Sequence, residues 1–258
     1  MLAQKVNTKP IDWTKKVFVQ PKLDGVRCIF TKDGAYSRNH KQFKNVDHLQ
    51  DDLQDFFKKF PDIVLDGELY NHALKQDFEK IISLVRKQKP SEQDRSEASD
   101  LVQFHVYDVI TEPNFTYEFR HNMLALQLPI AKSITLIKNT VVENLDEAKM
   151  LHDVHLAQGY EGSMLRLNAF YEQKRSYNLQ KWKDFHDDEA TIIGYVDGKG
   201  KREGTLGKFL MQDDEGVEFG CPPGKGYNYA ALTDILNNIH NYIGKRATFT
   251  YFERTQYG

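Results

Sequence analysis

Cysteine is nearly absent. Cys28 and Cys221 are the two thiols in 258 residues. Two cysteines cannot build a zinc cluster, and both lie in stretches expected to be strand or loop. They are expected as reduced thiols of a reducing compartment. The nine histidines show no metal-ligand spacing, and none is given a role. No apolar run approaches the roughly 20 residues of a bilayer-spanning helix. Met1-Leu2-Ala3-Gln4-Lys5 has no signal-peptide core. A soluble, cytoplasmic protein with no membrane partner follows as the expectation. Charge excess of either sign is also lacking: 35 Lys and Arg face 37 Asp and Glu, a formal net charge of −2. A basic nucleic-acid coat is excluded, so any such contact rests on local patches. No internal repeat stands out, and the polar low-complexity stretch is Lys87 to Asp100.

What is present suits one or two folded domains: 40% hydrophobic and 28% charged residues. Val17 to Gln20 and Val26 to Thr31 are expected as neighbouring strands, with Lys32-Asp33-Gly34 as a hairpin turn. Leu49, Leu53, Phe56, Phe57 and Phe60 recur at helical spacing over 46–60. A strand over 63–65, a helix over 77–86, a mobile polar loop over 87–99 and a strand over 102–110 follow. Next come a helix over 120–127, a strand over 134–142, a helix over 145–158 and strands over 163–166 and 179–183. This is an α+β region with antiparallel sheets. After the polar joint Asp184 to Asp188, short strands are expected over 190–195, 208–212, 216–219 and 246–252, with one helix over 229–243. That mix suits a small β-barrel of the OB type. The expected domains are 1–185 and 186–258.

The most informative stretch is Gln20-Pro21-Lys22-Leu23-Asp24-Gly25-Val26-Arg27. A lysine amine can serve as a nucleophile once it loses its proton, although a free lysine has a pKa of about 10.4. Burial and a neighbouring cation such as Arg27 favour the neutral amine. Asp24 can orient the amine and help accept its proton. Gly25 allows a turn or close backbone approach, and Arg27 can grip a phosphate by two parallel hydrogen bonds. The alternative for the same residues is a glycine turn with an exposed salt bridge.

The pattern Lys-x-Asp-Gly-x-Arg resembles motif I of the covalent nucleotidyltransferases: DNA ligases, RNA ligases and mRNA capping enzymes. Further elements resemble the family's other motifs in the same order. Ser37-Arg38-Asn39 resembles motif Ia, Asp66-Gly67-Glu68 motif III, and Tyr107-Asp108 motif IIIa. Glu161-Gly162-Ser163-Met164-Leu165-Arg166 resembles motif IV, and Leu179-Gln180-Lys181-Trp182-Lys183 motif V. Glu189 to Ile193 resembles the ligase entry into the OB domain. The ordered set is most similar to the small viral and bacteriophage ATP-dependent DNA ligases.

The resemblance implies an adenylation domain followed by an OB-fold domain. It implies ATP, carried as lysyl-AMP, with Mg²⁺, and nicked duplex DNA bound by a monomer. For a viral protein, the host cytoplasm or nucleoid would be the place of action. Lys22 would attack the α-phosphate, and Lys181 and Lys183, two apart on a strand, would stabilise the charge building there. Glu68 would contact ribose or metal, and Glu161 would help hold Mg²⁺. Tyr107 would stack on adenine, Gln20 would read its edge, and Asp24, Gly25 and Arg27 would complete the nucleotide site. Lys5 is a weaker candidate contact. Arg27 and Arg38 would meet the ribose and the 5′-phosphate of the nick, with Arg166 and Arg175 as further phosphate contacts. Lys199, Lys201 and Arg202 would form a basic rim for duplex DNA. Plainer roles remain open: surface ion pairs for the glutamates, core packing for Tyr107, and a solvated charged turn for 199–202.

The resemblance has gaps. Motif VI, a basic element late in the OB domain, is not visible, so the OB domain is expected to lack its last strand; if the chain is truncated there, self-adenylation is the step affected. No long lysine-rich insertion is visible either. An RNA ligase, a capping guanylyltransferase and a non-catalytic nick-binding module are the alternatives, although Ser37-Arg38-Asn39 and the 189–193 entry favour DNA.

Overall fold

Val17, Phe18, Val19 and Gln20 are all buried, as in a central strand covered on both faces. The computed structural model describes residues 1–6, 9–75 and 77–251. The chain divides into two units, Met1–Lys183 and Asp184–Gly258.

In the first unit the elements run β1 (Leu2–Lys5), β2 (Val17–Lys22), β3 (Val26–Thr31), β4 (Gly34–Tyr36), α1 (Asp47–Asp52), α2 (Gln54–Lys59) and β5 (Val64–Tyr70). A 3₁₀ turn (His72–Leu74) precedes α3 (Phe78–Val85), α4 (Glu92–Leu101), β6 (Gln103–Ile110) and α5 (Tyr117–Gln127). Then come β7 (Ile134–Leu136), β8 (Thr140–Val142), α6 (Leu145–Ala157), β9 (Gly162–Leu167) and β10 (Arg175–Trp182). They build two five-stranded sheets, ordered β1-β10-β9-β2-β8 and β4-β3-β5-β6-β7.

The sheets are not purely antiparallel: β1 runs parallel to β10, and β6 parallel to β7. Nor are β2 and β3 partners. They belong to different sheets, and the 23–25 link crosses between them. The expected strand over 134–142 likewise splits, β7 joining the second sheet and β8 the first.

The larger core lies on the second sheet, where Phe30, Phe57, Phe104, Leu49, Leu53 and Leu65 are buried together. Burying each such side chain contributes about 1.5–3 kcal/mol. The expected helix over 46–60 is two short helices meeting at Leu53, and the apolar spacing carries through the break. The polar stretch expected to be a loop contains α4. Ser91 and Asp94 form a reciprocal capping box at its start, the Ser-x-x-Asp signal of a helix N-terminus. Ala98, on α4, is its fully buried anchor. In the first sheet, Val17, Val19, Val142 and Leu165 pack with Ala148 of α6.

The second unit contains β11 (His186–Asp197), a 3₁₀ turn (Gly200–Arg202), β12 (Leu206–Gln212), β13 (Glu218–Cys221), α7 (Tyr229–Asn237) and β14 (Arg246–Tyr251). Its sheet, β13-β12-β11-β14, is antiparallel throughout. It has two edges and forms no closed barrel among the described residues. β11 begins inside the expected polar joint, and the expected helix over 229–243 ends at Asn237. Phe252 and the residues bearing on a missing last strand lie outside the described residues. No helix among the described residues is long and apolar enough to cross a membrane.

Candidate active site

Three adjacent strands of the first sheet carry the chemistry. Lys22, the last residue of β2, pairs in register with Gly162 at the start of β9. Trp182, the last residue of β10, pairs with Ser163. This register brings Lys22, Glu161 and Lys183 side by side. The Glu161 N–H donates to the Lys22 carbonyl at 3.1 Å, and its carboxylate is ion-paired with both Lys22 and Lys183. Gly162 has φ of 145°, and a Cβ there would lie 2.2 Å from the Trp182 carbonyl oxygen. Only glycine brings the two backbones this close.

Lys22 also borders a cavity of ≈ 230 Å³. Its walls include Gln20, Arg27, Glu68, Tyr107, Arg166 and Lys181. Past Lys22 the chain must turn sharply towards the second sheet. At Gly25 a Cβ would meet the Leu69 carbonyl oxygen and Glu68 Cγ, each at 2.6 Å. Any side chain there would push β3 away from the glutamate beside it. Burial raises the pKa of Asp24, against the pull of Lys183 in the other direction. A carboxylate with raised proton affinity suits the proton-accepting role expected of it.

On the second sheet, the register pairs Arg27 with Glu68 and Asp66 with Asp108. Burial, reinforced by the neighbouring Asp66 charge, pushes Glu68 up to about 8. The Tyr107 hydroxyl donates to Glu68 Oε2 at 3.4 Å. Arg27 grips Asp66 with two bonds, Nε to Oδ1 at 2.9 Å and Nη2 to Oδ2 at 2.8 Å. Burial works against the Arg27 charge, and Asp66 overcomes it, so the guanidinium is held firmly protonated. Tyr171 donates to the same carboxylate at 2.7 Å. The forked grip expected on phosphate is thus spent on Asp66, although Arg27 still borders the cavity.

Arg166 differs from its expected role on DNA. It is 4% exposed, bonded to Asp108 Oδ2 at 2.8 Å and to Gln20 Oε1 at 2.7 Å. Its side chain is therefore buried at the cavity wall and engaged within the protein, not spread on a surface open to a duplex. Gln20 is likewise committed: it is 1% exposed, and its Nε2 donates to Tyr117 at 2.9 Å.

Arg38 is exposed. It lines a second hollow of ≈ 600 Å³, which shares Met1, Leu2 and Arg27 with the first. Arg175 is exposed on the edge towards β1 and donates to the Ala3 carbonyl at 2.6 Å. Lys5 is exposed and in register with Lys181. In the second unit, Lys199 and Lys201 are exposed, while Arg202 is half-buried and donates to the Leu206 carbonyl at 3.1 Å.

Asp66, Asp108, Arg120, Tyr117 and Tyr171 had no expected role. For Asp66 and Asp108 the signal in the sequence was a carboxylate in or after an apolar run; Arg120, Tyr117 and Tyr171 lie in mixed polar stretches with no such signal. Asp108 within Val106-Tyr107-Asp108-Val109 is the clearest case: it is fully buried and held by two bonds from Arg120.

No group of three or more His, Cys, Asp or Glu side chains among the described residues is placed to hold a metal ion. The oxygen donors present, Glu68 and Glu161, suit Mg²⁺, which takes one or two carboxylates and completes its shell with phosphate and water oxygens. A cation beside Glu68 would favour its charged form against the burial, and the lesser Asp66 repulsion, that raise it.

A family model described as the ATP dependent DNA ligase domain matches residues 1–183. The DNA ligase of African swine fever virus (strain Badajoz 1971 Vero-adapted) is 30% identical over 260 residues, covering 91% of this chain and 59% of the viral protein. The chain therefore spans about three-fifths of that relative. The DNA ligase of Haemophilus influenzae is 27% identical over 257 residues, covering 97% of this chain and 85% of the relative. A structure from a study of DNA binding by Lig E DNA ligases with a minimal scaffold superposes with a TM-score of 0.80 at 24% identity, covering 99% of this chain and 93% of the other. That match shows a shared mixed α/β fold with several sheets.

Proposed function

This chain belongs to the ATP-dependent DNA ligase family, and from that premise we propose that it seals breaks between a 5′-phosphate and a 3′-hydroxyl in duplex DNA. One observation carries the reading: Lys22 borders a cavity whose walls supply a cation, a carboxylate and an aromatic ring in Lys181, Glu68 and Tyr107.

In the first step Lys22 Nζ parts from Glu161 and loses its proton, with Asp24 as the accepting carboxylate. The amine attacks the α-phosphorus of ATP. A P–N bond forms, the P–O bond to pyrophosphate breaks, and AMP remains on the lysine. Lys181 and Lys183 stabilise the charge on the non-bridging oxygens. In the second step a 5′-phosphate oxygen attacks the same phosphorus, giving a pyrophosphate linkage and releasing Lys22. In the third the adjacent 3′-hydroxyl attacks the DNA phosphorus, the phosphodiester forms and AMP leaves. Glu161 and Glu68 would hold Mg²⁺, which would supply positive charge to the phosphates. Tyr107 stacks on the base, and Arg38, facing the wider hollow, receives the 5′-phosphate strand.

We assign residues 1–185 to the adenylation domain and 186–258 to an OB-type module. The four-stranded antiparallel sheet with one helix supports this assignment, and Lys199, Lys201 and Arg202 form its basic rim. The test is incubation with radiolabelled ATP and Mg²⁺, followed by nick sealing on DNA and RNA duplexes side by side. Acid-labile label on the protein and sealing of the DNA nick are expected. No covalent adenylate, even after stripping with pyrophosphate, overturns the reading, and preference for the RNA nick would make it an RNA ligase.

A further inference from the structure

We propose that Arg166 is a positioning residue for the base-binding wall of the cavity, holding the Tyr107 ring and the Gln20 carboxamide in place before ATP arrives. The proposal rests on the reading that Tyr107 stacks on the purine.

Arg166 is the joint at which the wall residues meet. Its guanidinium carbon lies 5.2 Å from the centre of the Tyr107 ring and 4.9 Å from that of Tyr117. Nη1 donates to Asp108 and Nε to Gln20, as given above. Gln20 in turn donates to the Tyr117 hydroxyl, which Asn139 also bonds, at 2.9 Å. Both polar atoms of the Gln20 amide are therefore engaged and its orientation is set. Three of these residues, Gln20, Tyr107 and Arg166, border the cavity themselves.

The charge count explains why the cation stays. Asp108 alone faces two guanidinium groups, those of Arg166 and Arg120. Asp66 nearby adds to the balance, as do the electron-rich faces of Tyr107 and Tyr117, whose attraction for a cation strengthens once water is excluded. A planar fork can bond a carboxylate, bond an amide oxygen and lie against a ring together; an ammonium is a single point charge and cannot. Tyr107 has two side-chain torsions to fix. Its hydroxyl meets Glu68 and its ring meets Arg166, which leaves a preorganised surface for a flat ligand.

The test is a double-mutant cycle on self-adenylation and on equilibrium ATP binding, using the whole chain. Arg166→Lys, Tyr107→Ala and the combination are compared after thermal melting confirms that each is folded. We expect Arg166→Lys to raise KM and Kd for ATP about tenfold with kcat changed less than about threefold. In the Tyr107→Ala background the same change should add no more than about twofold, because residues acting through one another are non-additive. Independent, multiplying penalties overturn the proposal. So does a loss confined to kcat, or one confined to nicked-DNA affinity.

A measurement on the unaltered protein avoids dependence on variant folding. The Tyr107 ring resonances, identified by Tyr107→Phe, should show slow or intermediate flipping in nucleotide-free protein, and fast flipping overturns the proposal. A parent protein that binds ATP without forming lysyl-AMP would instead defeat the ligase reading, while the ATP-binding arm still tests Arg166.

Discussion

Lys22 is ion-paired with Glu161. The pair engages the atoms the reaction needs, because an ammonium cannot attack phosphorus and a carboxylate spent on an ammonium is not available to a metal. Adenylation therefore requires the two to part. Incoming phosphate offers Lys181 and Lys183 new partners, and a bound cation can take the place of the Lys22 charge beside Glu161.

Lys22→Ala is accordingly expected to reduce adenylation to background. The fold should hold, since the buried Glu161 carboxylate keeps Lys183 as a partner. Labelled-ATP gels and thermal melting measure the two effects. A variant that still forms acid-labile adenylate would remove Lys22 from its role.

Arg38→Ala should separate the steps. Arg38 is exposed on the wider hollow and is absent from the walls of the smaller one. Nick sealing is expected to fall by about tenfold or more, as for loss of a phosphate-positioning contact, with adenylation within about threefold. Single-turnover rates for each step decide it. Equal losses would place Arg38 in the nucleotide site.

Glu68 should give stability a pH dependence. Its carboxyl is raised from 4.5 to about 8, so the folded protein binds that proton more tightly than the unfolded chain. The associated stability is complete below pH 4.5 and is lost as pH rises through 8. Allowing for solvent in the cavity, a loss of about 1–3 kcal/mol across this window is expected. Glu68→Gln, which mimics the neutral acid, should flatten the profile in denaturant titrations at pH 5, 6.5 and 8. Parallel profiles for parent and variant would contradict the assignment.

Lys199 and Lys201 are exposed, and Arg202 beside them is partly occupied by its bond to Leu206. Nicked-DNA affinity should fall steeply with salt. Lys199→Ala with Lys201→Ala should reduce the log–log slope by about 2, near 0.9 per lost phosphate contact. An unchanged slope would leave these lysines as a solvated turn.

Much of the site could be read along the chain because its members sit in short local patterns. Lys22 precedes Asp-Gly, Glu161 precedes Gly, and Lys181 and Lys183 are two apart. The helix at 92–101 was signalled by Ser91 and Asp94, but its polar composition masked a single buried alanine as the docking point. The separation of β2 from β3 had no local sign, since two apolar runs joined by a glycine suit a hairpin as well as a crossing.

The sequence by itself determined which groups are available: an amine, carboxylates, cations and an aromatic ring, in an order shared with one enzyme family. Tertiary structure alone decided which of them meet. Strand register set Lys22 against Glu161, and folding buried Arg166 between Asp108 and Gln20. Pairing across a sheet joins residues over a hundred positions apart, and the cost of burying a charge depends on neighbours that only the folded chain supplies.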